Sequence, residues 1–235
     1  MSCTFVLVHG AWHGGWCWRR VADRLRAGGH VVFTPTLTGL GERAHQLASG
    51  IGLATHITDI VNVMTCEGLG DVVLCGHSYG GFIISGVAEQ MPGAIRALVF
   101  LDAFVPQNGE SVEQLTSPAV RETIRATVQR GDLGIPPRPA EAFGVNPADR
   151  AWVDRLCVPQ PIATFTDAIA LTGARERIAR KTYIRAKSYA NPGFDRAYDA
   201  LRQDASWRTR EVPCGHDVMV DMPDRLAEML VEAGA

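Results

Sequence analysis

The chain has 235 residues, the size of one domain or of one domain with a modest insertion. Hydrophobic residues make up 46% and charged residues 20%, which is typical of a globular protein with a substantial core. The formal net charge of −2 and the lack of a basic stripe argue against a nucleic-acid partner, and no apolar run approaches the roughly 20 residues that a membrane span needs.

Short apolar runs alternate with helical patterns along most of the chain. The pattern predicts strands at residues 4–8, 31–33, 72–75, 95–101, 182–186 and 208–212, and helices at residues 18–27, 55–66, 82–90, 194–201 and 222–232. Strands that are apolar throughout and alternate with helices favour a parallel sheet with helices packed on its faces. We therefore expect an α/β fold with a mostly parallel sheet of about six strands.

The composition changes between residues 106 and 179, where prolines are frequent and strand-like runs are missing. We interpret this segment as a mostly helical cap, inserted after the strand that ends near Asp102. The core then comprises residues 1–105 and 180–235. Proline-rich loops of a cap are commonly mobile and can determine which substrate enters.

The strongest chemical signal is Gly76-x-Ser78-x-Gly80, which lies between a predicted strand and a predicted helix. This placement is typical of a nucleophile elbow, a sharp turn that presents a serine hydroxyl at the edge of the sheet. Glycines on both sides keep the tight backbone path free of steric clashes. The N-terminus of the following helix favours negative charge at the reacting centre. Ser78 is therefore the candidate nucleophile.

A serine hydroxyl is a weak nucleophile and needs a base beside it. His216 follows the last predicted strand, where a hydrolase of this type carries its histidine, and the chain order serine, acid, histidine is kept. The developing negative charge needs two backbone N–H groups. We assign them to Tyr79, directly after the nucleophile, and to Ala11, in the glycine-rich loop after the first strand. Trp12 of the same loop is a candidate for the substrate pocket.

The acid is the least defined member of the predicted site. The loop after the strand at residues 182–186 contains no carboxylate before Asp195, which falls in the next predicted helix. Asp102 ends an otherwise apolar strand, where an ionised side chain is costly to bury unless it is paired. An imidazole N–H would supply that partner and fix the tautomer of the base. We favour Asp102 as the acid and keep Asp195 as the alternative.

Three segments resemble the plant methylesterase and hydroxynitrile lyase family of the α/β-hydrolase superfamily. They are residues 5–16 with the sequence FVLVHGAWHGGW, residues 76–81 with GHSYGG, and residues 215–217 with GHD. Residues 35–43, with the sequence PTLTGLGER, look like the bacterial esterases of this group, such as pyrethroid hydrolases. The resemblance implies an α/β-hydrolase fold and serine esterase activity.

Two departures from the family pattern bear on the reaction. Hydroxynitrile lyases of the family carry a threonine and a lysine where this chain has Gly10 and Asp217, which argues against cyanohydrin cleavage. The usual acid is missing from the loop after residue 186. Haloalkane dehalogenases carry an acid in a segment similar to residues 100–103, and this analogy supports Asp102.

The residues together predict a serine hydrolase that cleaves a small hydrophobic or aromatic carboxylic ester, or a lactone, through an acyl-enzyme on Ser78. Two alternatives on the same fold stay open: a cofactor-free lyase of the hydroxynitrile lyase type and a non-catalytic receptor for a small ligand. No cofactor or metal is implied, because the six cysteines match no zinc or redox motif. Free thiols and an N-terminus without a signal-peptide pattern lead us to expect a cytoplasmic protein with no membrane partner. A homodimer is compatible with the sequence.

Overall fold

The computed structural model describes residues 2–235. Within this range the strands are β1 (Thr4–Val8), β2 (Val31–Phe33), β3 (Val72–His77), β4 (Ile95–Leu101), β5 (Gly134–Ile135), β6 (Gln160–Pro161), β7 (Arg180–Ala186) and β8 (Trp207–Val212). The α-helices are α1 (Arg19–Ala27), α2 (Leu53–Cys66), α3 (Gly80–Gln90), α4 (Val112–Leu115), α5 (Pro118–Arg130), α6 (Arg150–Leu156), α7 (Ala163–Thr166), α8 (Pro192–Leu201), α9 (Val218–Asp221) and α10 (Pro223–Gly234). Across these residues, none of the helices has the length and apolar character needed to cross a membrane.

Six strands of the described chain form one sheet, in the order β2-β1-β3-β4-β7-β8, and each neighbouring pair runs parallel. β3 is buried along its whole length, and strands covered on both faces need apolar residues at nearly every position. β1 lies between β2 and β3. The chain runs from β1 to its neighbour β2 on one side and then crosses to β3 on the other side, so the direction of the connections reverses at β1. The loops after β1 and β3 therefore meet at the carboxyl edge, the usual position of a ligand site in open α/β sheets.

Two pairs of helices hold the central strands in place. α1 packs against α10, which lies over β3, β4 and β7, while α2 packs against α3, which lies over β1, β3 and β4. The buried side chains include Leu226 and Leu230 on α10 and Ile83 and Val87 on α3. Burying each such side chain contributes about 1.5–3 kcal/mol. The packing therefore fixes the ends of the central strands and the loops that leave them.

The fold predicted from the sequence is confirmed, and β3 extends two residues beyond the predicted strand. Gly76 and His77 continue the ladder with β4, where they face Phe100 and Leu101. Ser78 is therefore the first residue beyond the sheet edge.

The chain between β4 and β7 contains α4, α5, α6 and α7, together with the short strands β5 and β6, which the sequence did not predict. β5 and β6 pair antiparallel, with Ile135 opposite Gln160. The indole Nε1 of Trp12 donates to the Ile135 carbonyl at 3.0 Å, and the Trp12 backbone N–H donates to Gln160 Oε1 at 2.9 Å. The Trp12 carbonyl also accepts from the Val158 N–H at 2.9 Å, so three hydrogen bonds tie this part of the chain to the loop after β1.

Replacing Gly81 by alanine should destabilise the fold, because α3 approaches the chain after β4 too closely for a side chain. A Cβ atom at this position would lie 2.0 Å from the carbonyl oxygen of Phe104. Forcing atoms into a packed region costs about 1–3 kcal/mol, so urea unfolding should show a lower midpoint with an unchanged slope. Gly70→Ala is the matched control, since a Cβ there meets no atom within 4 Å. Equal midpoints for the two variants would contradict the close contact.

Candidate active site

Ser78 occupies a strained turn between β3 and α3. Its φ of 54° lies in the left-handed region, which is costly for a residue with a side chain. The surrounding chain holds this conformation: the Ser78 N–H donates to Leu101 O at 3.2 Å. The Ser78 carbonyl accepts from the N–H groups of Gly81, at 3.1 Å, and Phe104, at 3.2 Å. The turn is therefore fixed by both the helix that follows it and the end of β4.

The glycines that flank Ser78 are required by close backbone contacts. A Cβ atom at Gly76 would lie 2.5 Å from the Gly80 carbonyl oxygen, and a Cβ at Gly80 would lie 3.0 Å from the Val8 carbonyl oxygen. A larger residue at Gly76 would push the turn open. The spacing that identified the motif in the sequence thus has a steric cause in the structure.

His216 and Asp102 lie in direct contact. His216 Nδ1 is 2.6 Å from Asp102 Oδ2, and both side chains are buried. An adjacent carboxylate keeps the proton on Nδ1 and leaves Nε2 as the basic nitrogen of the ring. The backbone N–H of His216 donates to Phe143 O at 2.7 Å, which fixes the loop after β8. His216 and Ser78 line the same cavity.

Arg185 on β7 holds the second oxygen of Asp102. Asp102 Oδ1 accepts from Arg185 Nη1 at 2.6 Å and from the Ala186 N–H at 3.1 Å. Asp195, in the first turn of α8, accepts from Arg185 Nε at 3.0 Å and does not contact His216. Its side chain is 45% exposed, whereas that of Asp102 is fully buried. Asp102 therefore contacts the imidazole of His216 directly. Asp195 contacts Arg185 instead, and Arg185 in turn contacts Asp102.

The N–H groups of Ala11 and Tyr79 are free to bind a ligand. Both residues line the cavity that contains Ser78, and within residues 2–235 neither N–H donates a hydrogen bond. The next N–H along the first loop, that of Trp12, already donates a hydrogen bond to Gln160 Oε1.

A buried histidine supports the Ala11 peptide group from behind. The Leu37 N–H donates to His9 Nε2 at 3.1 Å, so the His9 proton sits on Nδ1 and is donated to Gly10 O at 2.7 Å. Burial lowers the pKa of His9 to about 3, and the ring is neutral. Because Gly10 O belongs to the same peptide group as the Ala11 nitrogen, this bond orients the Ala11 N–H.

The cavity above Ser78 has a volume of about 330 Å³, and its wall contains several aromatic side chains together with polar ones. Trp12 lines it and packs against two further rings, Phe143 at 5.8 Å and Phe165 at 5.7 Å between centroids. Tyr189 stacks on His216 with the ring centroids 4.5 Å apart. A site of this composition suits a small ligand with apolar or aromatic parts. Among residues 2–235, no group of three or more histidine, cysteine, aspartate or glutamate side chains could hold a metal ion.

Residues 5–229 match the profile of the alpha/beta hydrolase family. The chain belongs to this family. It is 45% identical to a carbendazim hydrolyzing esterase from Nocardioides sp. (strain SG-4G), over 98% of this chain and 99% of that relative. Methylesterase 7 from Arabidopsis thaliana is 32% identical over 58% of this chain and 54% of its own length. Among solved structures, an extracellular alpha/beta-hydrolase from a Paenibacillus species superposes with a TM-score of 0.87 at 25% identity, covering 99% of both chains.

These relatives confirm the resemblance to plant methylesterases and bacterial esterases, as well as the predicted α/β-hydrolase fold. This α/β-hydrolase is a carboxylic ester hydrolase. The lyase alternative is not favoured, because the relatives are esterases.

A second buried acid of this esterase lies beside His216 in the sequence. Asp217 Oδ2 is 3.1 Å from His13 Nε2, and both side chains are buried. Burial lowers the pKa of His13, but the Asp217 carboxylate outweighs it and holds that pKa well above its usual value. Burial likewise raises the pKa of Asp217, and the charge on His13 outweighs it, so the carboxyl stays ionised. This ion pair joins the loop after β1 to the loop after β8.

His77 supports the His216 loop from behind the cavity. Its Nε2 donates to the His216 carbonyl at 3.0 Å, and the two rings lie 4.4 Å apart. Burial lowers the pKa of His77 well below its usual value, so the ring is neutral. His77 follows Gly76 in the nucleophile motif, yet it acts on the backbone of the histidine loop.

Sequence reasoning missed three residues that surround the candidate triad. Arg185 carried a usable signal, because it is the one charged residue of the strand predicted at residues 182–186, and a buried cation needs an anionic partner. Phe143 and Tyr189, which pack on His216 at 5.6 Å and 4.5 Å, carried none. Phe143 ends a short 3-10 helix and Tyr189 lies in a bend, and neither segment is long enough to show a periodicity that indicates which way a side chain points.

Replacing Asp217 by asparagine should lower stability most strongly at mildly acidic pH. The raised pKa of His13 contributes stability that is complete below about pH 6.5 and is lost as the pH rises through the pKa of the folded state. The lowered pKa of Asp217 contributes stability that is complete above about pH 4 and is lost as the pH falls through the pKa of the folded state. We expect a loss of about 2 kcal/mol at pH 6 and a smaller loss at pH 9, measured by urea unfolding.

Asp224→Asn is the matched control, because Asp224 is 76% exposed and pairs with Arg24 at the surface. Its effect should stay within about 1 kcal/mol. Equal losses for Asp217→Asn at pH 6 and pH 9 would show that the ion pair does not stabilise the fold.

Proposed function

We propose that Ser78, His216 and Asp102 form a catalytic triad that hydrolyses carboxylic esters through an acyl-enzyme. The observation that carries this proposal is the 2.6 Å contact between His216 Nδ1 and Asp102 Oδ2, in a cavity whose wall also contains Ser78. This contact leaves His216 Nε2 available to accept the serine proton.

In the first half-reaction, Ser78 Oγ attacks the ester carbonyl carbon while His216 Nε2 accepts its proton. The N–H groups of Ala11 and Tyr79 donate to the carbonyl oxygen, on which negative charge develops. Collapse of the tetrahedral intermediate breaks the bond to the alcohol oxygen, and His216 returns the proton to that oxygen. The alcohol leaves, and the acyl group stays on Ser78.

In the second half-reaction, His216 takes a proton from water, and the resulting hydroxide equivalent attacks the acyl carbon. The same two N–H groups stabilise the second intermediate, which releases the carboxylic acid and restores the Ser78 hydroxyl. Asp102 Oδ1 accepts hydrogen bonds from Arg185 and Ala186, which hold the carboxylate in place beside His216. Its charge stabilises the imidazolium that forms in each half-reaction.

We assign residues 106–179 to a cap over the core formed by residues 1–105 and 180–235. This segment contributes Phe143 and Phe165 to the cavity wall, opposite Trp12 of the core. The aromatic wall supports a small ester with a hydrophobic or aromatic part, and Trp12 is the core residue that would contact it. The activity in the name of the Nocardioides relative makes carbendazim a candidate substrate of this chain as well. The cytoplasmic location and the homodimer stay predictions.

The triad assignment predicts different losses for three variants in p-nitrophenyl butyrate hydrolysis. Ser78→Ala should abolish turnover, and Asp102→Asn should lower kcat by about 10⁴-fold, because the asparagine amide favours the wrong histidine tautomer. Asp195→Asn should change kcat by less than about tenfold, since Asp195 acts only through Arg185.

A collapse in Asp195→Asn with normal turnover in Asp102→Asn would move the acid to Asp195. Circular dichroism of each variant checks that the fold is kept. If the wild type binds esters but turns over none, the chain is a receptor and the proposal fails.

The size of the cavity predicts a preference for short acyl chains. A volume of about 330 Å³ lies at the lower end for ligand sites, so kcat/KM for p-nitrophenyl butyrate should exceed that for the decanoate by at least about tenfold. Rates measured with Ser78→Ala give the background to subtract for each ester. Equal values for the two esters would contradict a cavity of this size as the substrate site.

A further inference from the structure

One cation in the cavity wall has no anionic partner within the chain. Arg138 and Glu141 are the oppositely charged side chains of the wall, and Glu141 pairs with Arg150 at 2.7 Å. In the part of the chain that the structure describes, Arg138 forms no ion pair within 4.0 Å. The cavity therefore presents one uncompensated positive charge.

Aromatic side chains hold the Arg138 guanidinium next to the candidate triad. Its central carbon lies 5.1 Å from the centroid of the Phe143 ring, and Nη1 donates to the Tyr189 hydroxyl at 3.4 Å. Both rings pack on His216, with centroids 5.6 Å and 4.5 Å from the imidazole centroid. The guanidinium is therefore separated from His216 by a single layer of rings.

This position matches the alcohol part of a bound ester. During the reaction, His216 Nε2 returns a proton to the alcohol oxygen, so that oxygen must lie beside His216. The carbonyl oxygen points the other way, toward the N–H groups of Ala11 and Tyr79. Groups attached to the alcohol oxygen consequently extend along the rings of Phe143 and Tyr189, toward Arg138.

A guanidinium carries five N–H donors in a planar fork, and a carboxylate accepts two of them in parallel. The long bond to Tyr189 uses one donor of Arg138, and no other is used within residues 2–235. The contact of the guanidinium carbon with the Phe143 ring also restricts the position of the group before a ligand arrives.

We propose that Arg138 binds a carboxylate on the alcohol part of the substrate, so that this esterase prefers esters of hydroxy-carboxylic acids such as hydroxybenzoates. This inference rests on the proposed function, since it uses the same site and the same role of His216. The reaction consumes the ester and one water and releases the acyl group as an acid and the alcohol part as a free hydroxy-carboxylate.

The test compares 4-acetoxybenzoate with 4-acetoxybenzamide, which has the same shape but no charge. The ratio of kcat/KM for the benzoate to that for the benzamide should fall by at least about tenfold in Arg138→Gln, mainly through KM, and by less in Arg138→Lys. Arg155→Gln, which removes an exposed arginine outside this cavity, should keep the wild-type ratio. In the wild type, raising the salt concentration to about 0.5 M should raise KM for the benzoate only.

The outcomes separate the two proposals. A ratio in Arg138→Gln within about twofold of the wild-type ratio, or an equal fall in Arg155→Gln, overturns the role of Arg138 while the esterase assignment stands. If the wild type hydrolyses the benzamide but not the benzoate, the role of Arg138 is likewise overturned while the esterase assignment stands. A wild type that hydrolyses neither compound, nor p-nitrophenyl butyrate, overturns the proposed function itself.

Discussion

The buried carboxylate of Asp102 is the constraint on which the site depends. An ionised group at this depth is tolerated only if hydrogen bonds and opposite charge replace its hydration. Asp102 Oδ2 contacts His216, and Oδ1 accepts from Arg185 and Ala186. These partners come from the end of β7 and from the loop after β8, so one side chain fixes the relative positions of two neighbouring strand ends. The contact with His216 and the hydrogen bonds from Arg185 and Ala186 thus hold the candidate acid and base together.

The sheet and the nucleophile turn could be predicted because their signals are local. Apolar runs, helical periodicity and the glycines around Ser78 each follow from contacts within a short stretch of sequence. The choice between Asp102 and Asp195 could not be settled in this way, because it depends on where Arg185 points. The residues between β4 and β7 that line the cavity, such as Phe143, lie in short helical turns and loops. Their positions depend on contacts that are distant in sequence, which a single sequence does not display.

Buried histidines surround the site, and their charges follow from their neighbours. Burial lowers the pKa of His9 to about 3 and that of His56 to about 4, so both rings are neutral hydrogen-bonding groups. His13 is equally buried but faces the Asp217 carboxylate, and it keeps its proton. The neutral rings orient backbone groups, as His9 does for the Ala11 peptide, while the charged ring joins two loops. Identical side chains thus serve different purposes according to whether a carboxylate is near.

Trp12 links the proposed oxyanion site of this esterase to the short strands β5 and β6. Its indole N–H and backbone N–H bind Ile135 and Gln160, and its own backbone is held at a φ of 66° directly after Ala11. Moving β5 and β6 away from the sheet would break both bonds and release the strained turn that aims the Ala11 N–H. Under the proposed mechanism that N–H binds the oxyanion, so residues of β5 and β6, which do not line the cavity, would still influence the reaction at Ser78.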